Sequence, residues 1–257
     1  MNLRENTILI TGGSRGIGFE MAKNFADLDN TVIITGRDTK TLKIAADYSK
    51  NITAIKSDVT KYSDIEKLYT KIKKEFPKLN VLINNAGTMR VINLHNSEFK
   101  KENLTGEIDI NVKGPIFMVD KFLPLLKKNG SAAIVNVSSG LAFIPLPISP
   151  VYCATKAALH SYTISLRVQL ANTNVKVFEL APPATATELL DHMDPDDMKG
   201  ISIMTVEKMI AAFLRGFKSN EQEICPGQAS QLRFAGKFMF NFVLKQMSKP
   251  VKRLLQQ

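Results

Sequence analysis

The 257-residue sequence predicts an α/β fold: a doubly wound parallel sheet in three layers, α/β/α, as a single domain with a helical C-terminal extension. Three observations carry this reading. Short β-branched apolar runs alternate with longer helical patterns. Most of the runs are nearly continuous in apolar residues, as strands buried on both faces of a parallel sheet must be. No Pro/Gly/Ser-rich linker interrupts the series up to Leu180.

Taken in order, the predicted strands cover residues 7–11, 31–35, 52–56, 81–84, 132–137 and 175–180, and the helices between them 17–28, 39–49, 64–76, 108–126 and 152–171. Repeated βαβ units cross over with right-handed connections, which places helices on both faces of the sheet. Beyond the sixth strand, residues 182–200 are rich in Pro, Thr, Asp and Met and read as a mobile loop. Residues 1–228 are expected to form one unit, and 229–257 a basic amphipathic extension packed on it.

Composition narrows the function. With 44% hydrophobic residues and 23% charged, no stretch is apolar enough to span a bilayer. The polar segment before the first strand leaves no room for a secretory signal. Cys153 and Cys225 are the only cysteines, and Cys153 falls inside a predicted helix, so a reduced cytoplasmic protein is expected. The net charge of +10 raises nucleic-acid or anionic-membrane binding. No zinc-ligand spacing and no arginine–aromatic strand pattern supports nucleic acid, and the charge is assigned to attracting an anionic cofactor. No metal site is visible, and His95, His160 and His192 read as surface or satisfied core residues.

The first strand runs into Thr11-Gly12-Gly13-Ser14-Arg15-Gly16-Ile17-Gly18. A dinucleotide pyrophosphate needs a tight turn, close backbone approach and a helix N-terminus aimed at its charge. Glycine supplies the first two, and free N–H groups with the helix dipole supply the third. Gly12, Ser14, Arg15, Gly16, Ile17 and Gly18 are therefore candidate cofactor contacts. The second strand ends at Thr35-Gly36-Arg37-Asp38. Gly36 stands where an NAD-binding sheet carries an acid for the adenine ribose, and Arg37 offers a guanidinium to a 2′-phosphate, with Arg15 adding charge nearby. NADP(H) is favoured over NAD(H). The competing reading makes Arg37 a solvated loop residue and gives the acid's part to Asp38, which is also an N-cap candidate.

Together with Asn84-Asn85-Ala86-Gly87, Asn111, Ser139 and Tyr152-Cys153-Ala154-Thr155-Lys156, this turn resembles the short-chain dehydrogenase/reductase family in its roughly 250-residue, Rossmann-type form, over about residues 5–228. The physics of the last motif stands alone. Tyr152 and Lys156, four apart on a helix, share a face. Hydride addition to a carbonyl leaves an alkoxide that needs a proton, and a phenol of pKa about 10 is poorly matched to neutral pH. A neighbouring ammonium and an oxidised nicotinamide would lower it. Tyr152 is the expected general acid/base. The resemblance implies that Lys156 also binds the nicotinamide ribose, that Asn111 holds a relay water, and that Ser139 bonds the substrate oxygen, with Ser138 as the competing choice. It further implies cofactor contacts at Asn85, Ala86 and Gly87 and at Asp58 and Val59, all of which also suit plain turn chemistry.

Where the family usually has Pro-Gly after the sixth strand, this chain has Pro182-Pro183, with Thr187 in place of the threonine that reaches the nicotinamide. Pro183 lacks an N–H, so the backbone there is not assumed standard. With Ser139-Gly140-Leu141-Ala142-Phe143 and the run from Pro150 to Lys156, this resembles a bacterial subgroup associated with lipoteichoic-acid D-alanylation operons. The resemblance also implies a homodimer or homotetramer built on helices 111–127 and 152–171. In the tail, Phe234, Phe238 and Phe242 recur every four residues beside Arg233, Lys237 and Lys245, and no acid follows Glu223. An amphipathic helix ending before Pro250 is expected, packed over the substrate site or a subunit interface, or making weak peripheral contact with an anionic membrane. A carbonyl/alcohol oxidoreductase is the reading; a catalytically silent NADP(H) sensor on the same sheet is the alternative, and a methyltransferase would leave the Tyr–Lys pair unexplained.

Overall fold

In the computed structural model of the chain, residues 1–95, 104–191, 193–199 and 201–256 are described. Seven parallel strands lie in the order β3-β2-β1-β4-β5-β6-β7. They are β1 (Thr7–Thr11), β2 (Thr31–Gly36), β3 (Ile52–Lys56), β4 (Val81–Asn84), β5 (Ala132–Val137), β6 (Val175–Leu180) and β7 (Glu223–Ile224). The order reverses between β1 and β4, and a crevice opens beyond their carboxyl ends.

Alternation along each strand divides the core between two helical layers. Leu9 lies beside Ile33 and Leu82, and these pack on α3 (Tyr62–Glu75), α4 (Gly114–Lys127) and α5 (Pro150–Gln169). Ile8 and Ile10 face the other way, onto α1 (Gly16–Asp27), α2 (Thr39–Ala46) and α6 (Val206–Ser219). There Phe25 of α1, Phe178 of β6 and Phe213 and Phe217 of α6 form a buried aromatic knot, the closest pair of rings being 4.9 Å apart.

Four features depart from the expected outline. The helix anticipated over 108–126 is composite: a turn at Gly106–Ile108, a π segment at Asp109–Lys113, then α4. In the π segment the Gly114 N–H reaches back to the Asp109 carbonyl. A Cβ on Gly114 would lie 3.0 Å from Val59 Cγ2, so glycine admits the β3–α3 connection. Second, α5 starts at Pro150, whose fixed φ suits a first turn. Third, α6 and the two-residue β7 join the sheet layers beyond the last predicted strand; α6 is capped by Thr205, which accepts from the Lys208 N–H, and closes on Asn220 at φ 60°. Fourth, the tail is three helices, α7 (Gln228–Phe238), α8 (Phe240–Met247) and α9 (Val251–Leu254). Met239, at φ −136°, interrupts the stripe, so Phe242 leaves the line of Phe234 and Phe238; all three are exposed. Both cysteines are free. Among the described residues no helix is long and apolar enough to cross a membrane.

Candidate active site

The turn between β1 and α1 is tied to the end of β4. Asn85 Nδ2 donates to the carbonyls of Thr11 and Gly12, each at 3.0 Å, while Thr11 Oγ1 accepts from the N–H groups of Asn85 and Ala86. Gly12 has φ +65°, and a Cβ on Gly18 would sit 2.3 Å from the Gly12 carbonyl oxygen. Arg15, before α1, makes no side-chain cap and the first turn holds no acid, which leaves N–H groups of the helix end for a ligand. Gly12, Ser14, Arg15, Gly16 and Ile17 all line one large cavity of about 1450 Å³. Such a backbone cradle, which side chains would fill, fits a dinucleotide pyrophosphate.

At the next strand end, a Cβ on Gly36 would stand 3.5 Å from Ser14 Oγ, and the exposed Arg37 lines the cavity. The Asp38 carboxylate caps α2 by accepting from the Lys40 N–H at 2.8 Å. Asp58 and Val59 line the cavity as well, but the Asp58 carboxylate is held by Thr60, whose N–H and hydroxyl both donate to it. Arg15 reaches across the cleft to Glu188, 2.7 Å away, with both side chains largely exposed. Thr187 approaches the glycine turn, its methyl 3.5 Å from where a Cβ on Gly16 would be. The Pro182 carbonyl accepts from the Gly140 N–H and that of Pro183 from Thr185, which fixes the diproline between β5 and the following loop.

Across the crevice, α5 presents Tyr152, Lys156 and His160 at four-residue intervals. The buried Lys156 ammonium donates to the Val137 carbonyl at 2.9 Å and lies 5.6 Å from the Tyr152 ring centroid. The Ser139 hydroxyl accepts from the Leu141 N–H and, like Tyr152, lines the cavity. Ser138 is committed elsewhere, its hydroxyl donating to the buried Glu179 carboxylate behind β5. Gly87 covers the group: a Cβ there would be 3.4 Å from Asn111 Oδ1 and 3.5 Å from Lys156 Nζ. The Asn111 side chain is tied on both sides, Oδ1 accepting from the Thr88 N–H and Nδ2 donating to the Thr88 carbonyl and Thr155 Oγ1.

Burial pushes the Tyr152 phenol above its ordinary value, and among the protein's own groups only the Ser139 hydrogen bond pulls it back. Desolvation is the largest cause, because the phenol is out of water and burial disfavours the charged phenolate. Burial also lowers Lys156 to about 8, against the attraction of Glu179. Glu179 was not anticipated, and it is what satisfies His160. Glu179 Oε2 lies 2.8 Å from His160 Nδ1, and this bond raises the imidazole despite its burial. A lone acid in an apolar strand and a histidine four residues past Lys156 were the available signals. A second buried carboxylate, Glu107, accepts from the Arg90 N–H and stands near Tyr152 and Cys153; burial raises it. His95 is exposed, and His192 lies outside the described residues.

The β6–α6 loop and the tail roof this end. Met193 and Met198 pack with Met247, Val251 and Leu254 in the cluster that holds the Tyr152 ring. Arg253 clasps Asp194, Asp196 and Asp197 at 2.8, 3.3 and 3.1 Å, and Asn93 Nδ2 donates to the Leu254 carbonyl.

A family model described as short chain dehydrogenase matches residues 6–198. The chain belongs to the short-chain dehydrogenase family. It is 43% identical over 255 residues to the oxidoreductase DltE of Bacillus subtilis, covering 96% of this chain and 98% of that protein. An oxidoreductase of Staphylococcus saprophyticus is 33% identical over 77% of this chain and 81% of its own length. Among solved structures, a 3-ketoacyl-(acyl-carrier-protein) reductase from Brucella melitensis, complexed with NADH, is 28% identical with a TM-score of 0.77, covering 89% of this chain and 94% of that one. A short-chain dehydrogenase from Burkholderia cenocepacia in complex with NADP shares the fold, with a TM-score of 0.84 at 23% identity over 97% of this chain and 100% of that one. This short-chain dehydrogenase is thus an oxidoreductase on a nicotinamide-binding Rossmann fold.

Proposed function

We propose that this chain reduces a carbonyl compound with NADPH, Tyr152 acting as the general acid. One observation carries the reading: Tyr152, Ser139 and Lys156 line the same cavity whose other end is the glycine turn. The cofactor supplies a hydride when bound. Gly12, Ser14, Gly16, Ile17 and Gly18 would hold its pyrophosphate, Arg15 and Arg37 a 2′-phosphate, and Asn85, Ala86, Gly87, Asp58 and Val59 the adenosine side, with Pro182, Thr187 and Lys156 at the nicotinamide end. Preference for NADP rests on Gly36, on Arg37 and on the engagement of Asp38 as a cap.

Ser139 orients the substrate oxygen and stabilises charge developing on it. A phenol held above its ordinary value is protonated at neutral pH, the state an acid needs for reduction. Lys156 then stabilises the phenolate left after proton transfer, and Asn111 fixes the π segment beside it. Residues 1–228 would form the catalytic unit and 229–257 its roof. A homodimer through α4 and α5 would cover Ile164 and Val168, which α5 leaves exposed.

The test is NADPH oxidation over a panel of carbonyl compounds, with Tyr152→Phe as control. The proposal expects turnover that falls at least a hundredfold in the variant while NADPH affinity is kept, in line with general-acid contributions of about 10²–10⁴. Equal turnover would refute it. Tight NADPH binding with no turnover on any carbonyl would favour a cofactor sensor.

A further inference from the structure

Methionine and leucine build the end of the cavity around Tyr152. Met89 follows β4, Leu141 and Leu146 precede α5, Met193 and Met198 follow β6, and Met247 ends α8. All six line the cavity and join one apolar cluster with the Tyr152 ring. Leu189 and Leu190 do the same, and four of these eight are methionine, an unbranched thioether that reshapes around its neighbour at low cost. Among the described residues Tyr152 is the only aromatic side chain lining the cavity. At this end Arg253 pairs with three aspartates and Lys199 with Asp196 at 2.7 Å, while Asp191 and Lys249 also line the cavity. An anionic headgroup at Arg253 or Lys199 would have to displace those carboxylates, whereas an apolar chain leaves them in place. The same clasp seats Val251 and Leu254 against the methionines, so segments distant in sequence hold one apolar wall.

Resting on the reductase reading, we infer that the substrate carries its carbonyl on a flexible, unbranched aliphatic chain. The carbonyl oxygen sits at Tyr152 and Ser139, and the chain lies against Met89, Met193, Met198 and Met247. The step forms a C–H bond from the hydride of reduced nicotinamide and an O–H bond from the Tyr152 proton, giving the alcohol and oxidised nicotinamide.

The experiment uses the full chain with NADPH and unbranched aldehydes from propanal to decanal. kcat/KM is expected to rise about fourfold per added methylene, the value for a buried CH2, until the chain outgrows the wall. Benzaldehyde should fall below heptanal, and Met247→Asp should flatten the rise. A flat series, or 2-oxo acids outranking the long aldehydes, would overturn the inference. A second readout separates it from the reductase reading. With NADP+ present, unreactive unbranched alkanamides should raise the melting temperature more as they lengthen. That trend without turnover of any aldehyde leaves the aliphatic site standing and removes the reductase reading; turnover without chain-length dependence in either assay does the reverse.

Discussion

Replacing Asn85 by alanine removes the tie between β4 and the phosphate turn. Both carboxamide N–H groups are used, on the Thr11 and Gly12 carbonyls at 3.0 Å each. At a net 0.5–1.5 kcal/mol per hydrogen bond the loss is about 1–3 kcal/mol. For a chain of this size that lowers the melting temperature by roughly 5 °C, and NADPH binding should weaken roughly tenfold as the turn loses order. The sharper variant is Asn85→Asp. Its carboxylate has no N–H to give and faces two carbonyl oxygens, so at neutral pH it should be worse than alanine. Its deficit should shrink towards about pH 4, where a protonated carboxyl can donate one bond. Scanning calorimetry with and without NADPH, together with a fluorescence titration of NADPH, reads both quantities. An aspartate variant as stable as the wild type at pH 7, or consistently better than alanine, would refute the reasoning.

Gly18→Ala puts a methyl 2.3 Å from the Gly12 carbonyl and should abolish measurable NADPH binding, whereas Gly130→Ala, with open space around it, should change stability by no more than about 0.5 kcal/mol; titration and melting curves check the pair. Arg37→Ala should weaken NADPH about tenfold and leave NADH unchanged, and equal losses for both cofactors would remove the 2′-phosphate role. His160 has its folded pKa raised by Glu179, so the stability it adds is complete below the unfolded value of about 6.5 and is lost as pH rises through the folded value. Glu179→Gln should erase that difference between melting temperatures at pH 6 and pH 8.5. The same change removes the attraction that supports Lys156 at about 8, so the alkaline fall in kcat/KM should move to lower pH; an unchanged profile would exclude the link.

The sheet was legible because its strands are buried on both faces and read as unbroken apolar runs; five of the six expected strands carry the anticipated bounds, and β2 extends by Gly36. The glycine turn and the Tyr152–Lys156 pair were legible because their chemistry depends on spacing along one chain segment. What escaped depends on distant partners. The π segment accompanies Asn111 binding both backbone groups of Thr88, a contact no local pattern announces. Ser138 and Ser139 are neighbours of one type, and only the position of Glu179 separates them. The upward displacement of the Tyr152 phenol follows from burial, which the four-residue spacing does not report. The tail kept its amphipathic composition but not its continuity, because Met239 turns the chain so that Met247 and α9 reach the cavity while the phenylalanines stay outside.

The central claim is spatial, and a crystal structure of the chain with NADP+ tests it most directly. The account predicts the nicotinamide C4 facing Tyr152 and Ser139 across a gap sized for one carbonyl group, with reacting atoms able to approach within about 3.5 Å. A nicotinamide bound away from that wall, or a Tyr152 hydroxyl turned from the cavity towards Cys153, would contradict it.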